Sequence, residues 1–209
     1  MKRDCIIIGA GTYGQVYAEY LKDDYSVLGF YDDNPEIIGN EINGFKVLGK
    51  VEQAFDLERK TAVFVPIGNN VVRVDLLKKF QNKGFAIPSF VHPQAIVHSS
   101  VILGKAVYIL PGTNIMPLTN IGDYCMMSVN SVVSHHTILK EGVFLSFGVN
   151  IGASMILENF AYVGIGATIM TGVKSVGEKS LIGAGAVIIR DVPDGATVVG
   201  NPGRIIKIK

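Results

Sequence analysis

The chain of 209 residues has no tryptophan, only two cysteines and almost no excess of charge of either sign. Cys5 and Cys125 lie far apart, and neither has the spacing of a disulfide framework or of a metal site. The 19 basic and 18 acidic residues leave a net charge of +1, which provides no basic surface of the kind that binds nucleic acid. A nucleic-acid partner and a metal cofactor are therefore not expected.

Long apolar runs are also absent, although the mean hydropathy of +0.35 is high. Because no run is long enough to cross a bilayer, the sequence predicts no membrane span. The first residues, MKRDCIIIGAG, lack a small-residue cleavage pattern, so they predict a strand rather than a signal peptide. We expect a cytoplasmic protein.

What the sequence does contain is a six-residue repeat between Ala95 and Arg190. Across sixteen hexads the third position is aliphatic fifteen times, with Ser175 as the exception and no inserted or deleted residue. Six is neither the helical period nor the simple alternation of a strand. It fits a short strand followed by a corner, so three hexads return the chain on itself after 18 residues. Each aliphatic residue then stacks on its equivalent in the next coil and fills a continuous core.

The first 90 residues show a different pattern, in which strands alternate with helices. Strands are predicted over 4–8, 26–31, 61–67 and 85–90, and helices over 15–21 and 71–81. The turn after the first strand reads Gly-Ala-Gly-Thr-Tyr-Gly, and an acidic pair, Asp32 and Asp33, follows the second strand. Such glycines allow backbone N–H groups to approach an anion at a helix N-terminus.

A third loop, Gly68-Asn69-Asn70, follows the third strand. The three loops are expected at one edge of a parallel sheet, which is where ligands bind in open α/β folds. A purely structural role for the glycine turn remains the alternative. With only about 90 residues, the domain is too short for a complete NAD-binding fold, so we predict half of a Rossmann fold that holds one nucleotide. An NAD-dependent oxidoreductase is correspondingly disfavoured.

The chemical centre of the repeat is the segment SVVSHHT at 131–137. His135 lies two residues after the inward Val133, so it is expected near a corner, facing outward. Acetyl transfer from a thioester requires a base for the proton of the incoming amine or hydroxyl, and histidine is suited to that task. The adjacent His136 supplies no fixed negative charge. His92 and His98, at the entry to the repeat, are expected to be structural.

The whole chain resembles one family of enzymes. It contains, in order, a half-Rossmann domain, His92-Pro93, the hexads, a Val-Pro-Asp-Gly turn at 192–195 and Gly200-Asn201-Pro202. This combination resembles the bacterial nucleotide-sugar N-acetyltransferases, which are hexapeptide-repeat acyltransferases. The sialic acid O-acetyltransferases are related to this family. The resemblance implies an α/β half-Rossmann domain over 1–90 that binds the nucleotide-sugar. It also implies a left-handed parallel β-helix over 91–209 with a C-terminal tail.

The resemblance further implies acetyl-CoA as donor and a homotrimer with its active site between adjacent β-helices. His135 matches the general base, whereas His136 stands where an acid is common and Phe144 where some relatives carry a second histidine. Residues matching the substrate site are Gly9, Gly11, Tyr13, Asp32, Asp33, Gly68, Asn69 and Asn70. Residues favoured for the cofactor are Ala153, Gly166, Ala167, Gly183, Ala184, Asn201 and Pro202, although small residues also fit β-helix corners.

The sequence therefore predicts an acetyl-CoA-dependent N-acetyltransferase acting on a UDP- or dTDP-linked amino-sugar in surface glycan biosynthesis. An O-acetyltransferase acting on sialic acid or a related sugar is the first alternative. A non-catalytic β-helix binding module is the second, because His136 and Phe144 depart from the pattern of the family.

Overall fold

The computed structural model describes residues 2–208, and the chain divides into two compact units between Pro88 and Ser89. Met1 and Lys209, the outermost residues of the two predicted domains, lie outside the described residues. The first unit contains β1 (Arg3–Ile8), α1 (Thr12–Leu21), β2 (Tyr25–Tyr31), β3 (Glu41–Ile42), β4 (Phe45–Gly49), a 3-10 helix (Val51–Asp56), β5 (Ala62–Phe64) and α2 (Asn70–Asn82).

The first unit is built on a five-stranded sheet with the order β3-β4-β2-β1-β5. All its neighbours pair in parallel except β3 and β4, which form an antiparallel hairpin. The interior strand β1, between β2 and β5, is buried from Cys5 to Ile8, as expected of a strand covered on both faces. Tyr17, Ala18 and Leu21 form the buried side of α1. The ends of β1, β2 and β5 thus meet at one edge of the sheet.

Two features of this unit differ from prediction. The strand predicted over 85–90 is wrong, because Ala86 makes only an isolated bridge to Ala62 and Phe90 belongs to the second unit. The additional parallel strand is instead β4. Its hairpin turns at Asn43-Gly44, where both residues have positive φ, 51° and 82°. This is the backbone of a two-residue hairpin turn for which Asn-Gly is the preferred sequence.

The second unit consists of short strands arranged as a parallel β-helix, except that the last strand pairs antiparallel with the one before it. They are β6 (Phe90–Val91), β7 (Ile96–Val97), β8 (Ile102–Leu103), β9 (Tyr108–Ile109), β10 (Asn114–Ile115), β11 (Asn120–Ile121), β12 (Met126–Met127), β13 (Val132–Val133), β14 (Ile138–Leu139), β15 (Phe144–Leu145), β16 (Asn150–Ile151), β17 (Ile156–Leu157), β18 (Tyr162–Val163), β19 (Thr168–Ile169), β20 (Ser175–Val176), β21 (Leu181–Ile182), β22 (Val187–Ile188), β23 (Ala196–Val199) and β24 (Arg204–Ile208).

These strands make three sheets, which are the three faces of a prism. The first face carries β7, β10, β13, β16, β19 and β22; the second carries β8, β11, β14, β17 and β20; the third carries the remaining strands from β6 to β24. Up to β19, partners along a face are 18 residues apart, as in Ile115 with Val133 and Val133 with Ile151. From β9 to β22 the second residue of each strand points inward and is buried, so the core is the predicted aliphatic column.

Corners repeat as regularly as strands. From 106 to 166, every sixth residue is the second of the two central residues of a corner turn and has φ between +46° and +71°. These residues are Ala106, Gly112, Leu118, Tyr124, Asn130, His136, Gly142, Gly148, Ser154, Phe160 and Gly166. A positive φ at that position is the mark of a type II turn. The turn constrains the backbone at this position, and side chains of very different chemistry occupy it.

Small polar residues just inside the corners satisfy the backbone. Thr113, Ser131 and Thr137 are fully buried, and each hydroxyl donates to a carbonyl 15 residues further along, at 2.9–3.1 Å. The acceptors are Ser128, Ser146 and Gly152. A buried carbonyl without such a donor would destabilise the coil, since buried polar groups need partners.

The uninterrupted frame predicted for the repeat is wrong at one point. β19 begins at Thr168 and β20 at Ser175, so this rung has one additional residue. Leu157 consequently pairs with Val176, not with Ser175. Val176 is fully buried, whereas Ser175 is only half-buried. The aliphatic column is therefore continuous, and Ser175 faces outward.

Candidate active site

The two adjacent histidines occupy the corner between β13 and β14, where the first face of the prism meets the second. Both side chains are exposed. Their Nδ1 atoms are 3.0 Å apart, and the rings stand edge to face with centroids separated by 5.2 Å. An exposed imidazole pair at a rigid corner can reach a substrate and exchange a proton with it.

The backbone of the neighbouring coils fixes this corner. The carbonyl of His135 accepts the N–H of Ser154 at 3.0 Å, and the N–H of His136 donates to Pro117 at 3.4 Å. His92 and His98 differ from this pair, because the Nδ1 atom of each accepts a backbone N–H two residues further along. They therefore fasten local turns, in keeping with the structural role expected of them.

Ala153 lies one coil beyond His135 at the same corner, and it is buried. Its backbone N–H, expected to contact the cofactor, donates to Thr171 Oγ1 at 3.1 Å. A thioester oxygen can bind this N–H only after the Thr171 hydroxyl turns away. Thr171, which follows Met170 in the rung that carries the additional residue, was not among the residues predicted for the site.

Phe144 lies on the third face of the prism, away from the histidine corner of its own coil. It is fully buried, and its ring stacks on Tyr162 of the next coil with centroids 4.8 Å apart and planes inclined by 19°. Within one chain, Phe144 is a packing residue.

The remaining residues favoured for the cofactor are distributed over two parts of the β-helix. Gly166 and Ala184 are exposed at the corner where the third face meets the first, with Gly183 just before it. Ala167 is fully buried, so only its backbone can serve a ligand. The exposed Asn201-Pro202 peptide is cis and lies in the turn between β23 and β24.

A cavity of about 310 Å³ opens at the carboxyl edge of the sheet in the first unit. Its lining comprises Gly9, Gly11, Thr12, Tyr13, Gly14, Asp32, Pro66, Ile67 and Gly68. Gly9 has φ +92°, and a Cβ at Gly14 would lie 1.9 Å from the Gly9 carbonyl oxygen. The turn thus requires glycine at both positions. It presents backbone N–H groups beside the start of α1, which suits an anionic group such as a phosphate.

The acidic pair holds the loops of this edge in place. Asp32 accepts the N–H of Ala10 at 2.8 Å through Oδ2 and that of Asn34 at 2.9 Å through Oδ1. Asp33 Oδ1 accepts the N–H of Val51 at 3.0 Å, at the start of the 3-10 helix. Only Asp32 lines the cavity. Both carboxylates were expected to contact the nucleotide, and in the structure both accept hydrogen bonds from backbone N–H groups.

The third loop is organised by α2. Asn69 caps this helix, since its Oδ1 accepts the N–H groups of Val71 and Val72, and Asn70 is buried at its first turn. Arg73 also supports this loop, although it was not among the residues predicted for the site. This residue is fully buried and donates from its guanidinium to the Ile67 carbonyl at 2.8 Å, directly before the loop.

Among residues 2–208, no group of three or more His, Cys, Asp or Glu side chains is placed to hold a metal ion. Within the same residues, no helix has the length and apolar character needed to span a membrane.

Known proteins match both units. The model of the family described as the PglD N-terminal domain matches residues 4–80. GDP-perosamine N-acetyltransferase from Escherichia coli O157:H7 is 30% identical over 215 residues, which cover 96% of this chain and 95% of that protein. The chain belongs to the hexapeptide-repeat acetyltransferases. The predicted family is thereby confirmed, and its members are named as enzymes, which disfavours the binding-module alternative.

Solved structures agree over nearly the full length. The acetyltransferase domain of PglB from Neisseria gonorrhoeae is 30% identical, with a TM-score of 0.90, covering 98% of this chain and 100% of that one. A variant of the Caulobacter crescentus GDP-perosamine N-acetyltransferase, with a histidine replaced by alanine, was solved with CoA and GDP-perosamine. It is 28% identical with a TM-score of 0.88 and covers 98% of this chain and 97% of its own.

These matches confirm the predicted fold class, a half-Rossmann α/β domain followed by a left-handed parallel β-helix. The chain is an acetyltransferase, and acetyl-CoA is the donor of its family. The N. gonorrhoeae domain has also been solved in complex with acetyl coenzyme A.

Proposed function

We propose that this acetyltransferase transfers the acetyl group of acetyl-CoA to the amine of a nucleotide-linked amino-sugar. The observation that carries the proposal is the exposed His135 at a rigid β-helix corner, in a chain similar over 96% of its length to a GDP-perosamine N-acetyltransferase. The enzyme is proposed to act in the cytoplasm, in the biosynthesis of surface glycans.

In the proposed reaction, His135 is the general base. It accepts a proton from the sugar amine as the amine nitrogen attacks the thioester carbon, and the C–S bond then breaks to release CoA. Backbone N–H groups near the corner stabilise the negative charge that develops on the thioester oxygen. Ala153 is proposed as one such donor, after the Thr171 hydroxyl has rotated away from it.

The first unit, predicted as residues 1–90, is proposed to hold the nucleotide. The glycine turn around Gly9 and Gly11 offers N–H groups to the diphosphate, and Tyr13, Asp32 and Gly68 line the same cavity. Asp33, Asn69 and Asn70 shape the adjoining loops. The sequence favoured UDP or dTDP, whereas two of the named relatives are GDP-perosamine N-acetyltransferases. The identity of the base is therefore part of the test.

Cofactor binding is proposed along the β-helix corners and the C-terminal turn. Gly166, Ala167, Gly183 and Ala184 let the pantetheine arm lie close to the backbone, and Asn201-Pro202 lies near the adenine. We further propose a homotrimer with acetyl transfer between adjacent β-helices. Support comes from large apolar side chains left uncovered on the prism, including Ile96, Ile102 and Leu118, each more than half exposed.

A panel assay tests the proposal. Purified protein would be incubated with acetyl-CoA and UDP-, dTDP- or GDP-linked 3-amino and 4-amino sugars, with CoA release and product mass recorded. We expect one nucleotide amino-sugar to gain a single acetyl group. Acetylation of free sialic acid, with no reaction of any nucleotide amino-sugar, would favour the O-acetyltransferase alternative. Light scattering would measure the oligomeric state, for which we expect three chains.

A further inference from the structure

The distance between the two histidine rings constrains which ring nitrogens carry protons. The two Nδ1 atoms lie 3.0 Å apart, which is a hydrogen-bond distance. Two bare nitrogens would repel each other, and so would two N–H groups, so a single proton lies between them. Because a neutral imidazole carries one N–H, the ring that donates through Nδ1 keeps a bare Nε2. The accepting ring carries its own proton on Nε2.

We propose that His136 is a positioning residue, which accepts the Nδ1–H of His135 and thereby keeps the Nε2 of His135 free of its proton. The inference rests on the proposed function, in which His135 takes a proton from the sugar amine. That proton reaches the bare Nε2 as the N–C bond forms. It leaves for the CoA sulfur as the C–S bond breaks, which restores the neutral ring. Throughout the cycle, Nδ1–H continues to donate to a neutral His136.

The fold gives no other reason for a histidine at this position. His136 has φ +57°, and its equivalents one coil before and one coil after are Leu118 at +63° and Ser154 at +59°. The same turn is therefore made by an aliphatic and by a hydroxyl side chain. The contact between the rings is the feature that distinguishes this coil from its neighbours.

Three substitutions at one position separate the acceptor from the turn. His136→Asn places an amide oxygen on the Cγ atom that carries Nδ1 in histidine. His136→Gln moves the amide one bond further out, and His136→Leu removes the acceptor. The turn accommodates Asn and Leu, because Asn130 and Leu118 already hold equivalent positions with φ +58° and +63°. All three variants are expected to fold.

The expected result is a selective loss of kcat. His136→Leu and His136→Gln should lower kcat by about tenfold to a hundredfold, by analogy with the loss when the hydrogen-bond partner of a metal-bound histidine is removed. KM for the nucleotide-sugar should change little, and His136→Asn should retain most of the wild-type kcat. A Leu variant with wild-type kcat would overturn the proposal, as would equal losses in the Asn and Leu variants.

A second readout does not depend on turnover. In protein labelled with 15N-histidine, two-bond nitrogen–proton correlations show which ring nitrogen carries each proton. We expect the proton of His135 on Nδ1 and that of His136 on Nε2. A proton on the Nε2 of His135 would overturn the positioning role even in an active enzyme. If no sugar were acetylated while the expected tautomers were found, the proposed function would fail and the proton arrangement would stand.

Discussion

The two units of the molecule use their polar side chains in opposite ways. In the first unit, Asp32, Asp33 and Asn69 lie in the loops expected to meet the nucleotide, and all three accept backbone N–H groups. In the β-helix, His135 and His136 bond to each other and remain exposed. In the first unit, the side chains expected to contact the ligand therefore also stabilise the loops. In the β-helix, the histidine side chains at the corner do not hold the coils together.

The largest effect should come from the core of the β-helix at the irregular rung. Val176→Asn places a polar side chain in the closed aliphatic column, and we expect it to destabilise the protein by about 3 kcal/mol or more. The matched Ser175→Asn, on the outer surface, should cost less than about 1 kcal/mol. Urea unfolding monitored by circular dichroism measures both. Equal destabilisation by the two variants would contradict the observed one-residue shift.

A smaller effect is expected in the first unit, where one substitution should alter two properties together. Asp32→Ala leaves the N–H groups of Ala10 and Asn34 without their acceptor, which should cost about 1–3 kcal/mol of unfolding free energy. KM for the nucleotide-sugar should also rise, because the same loop lines the cavity. The control Asp23→Ala changes an exposed acid and should alter neither quantity. A rise in KM without loss of stability would mean that Asp32 serves only the ligand.

The smallest effect concerns a thiol in the interior strand β1 of the first unit. Burial raises the pKa of Cys5 to about 12, and nearby Asp4 adds to the shift. An unfolded cysteine ionises near pH 8.5. The stabilisation by this group is therefore complete below about pH 8.5 and decreases as pH rises towards 12. At pH 8, iodoacetamide should alkylate Cys5 in denaturant but not in the native protein, and mass spectrometry would detect native labelling that contradicts this.

The β-helix could be predicted in detail because every rung repeats one environment. Ile115, Val133 and Ile151 stack as the hexads require. The additional residue leaves little trace in the sequence for a physical reason. It makes Ser175 the single non-aliphatic third position, because after it Leu181-Ile182 and Val187-Ile188 offer an aliphatic residue in both frames. Burial of Ile182 and Ile188 reveals which frame the coil uses.

The first unit was predictable in outline only. The glycine turn, Asp32 and Gly68 do meet at one cavity, because the carboxyl ends of parallel strands share an edge. The hairpin was missed, although Asn43-Gly44 is a strong signal for one. Its strands are short, and β4 reaches the sheet only through long-range pairing with β2. Arg73 gave no signal, since a charged residue in a helix is ordinarily exposed.

In the proposed reaction an exposed β-helix histidine takes the proton of the amine, and the fold stands without that side chain. The decisive measurement is kcat/KM of the wild type, His135→Ala and the control His98→Ala with the nucleotide amino-sugar that the panel identifies. We predict a loss of about 10²–10⁴-fold for His135→Ala alone, with the Tm of His135→Ala close to that of the wild type. Wild-type turnover by His135→Ala, with CoA still released, would contradict the assignment of His135 as the base.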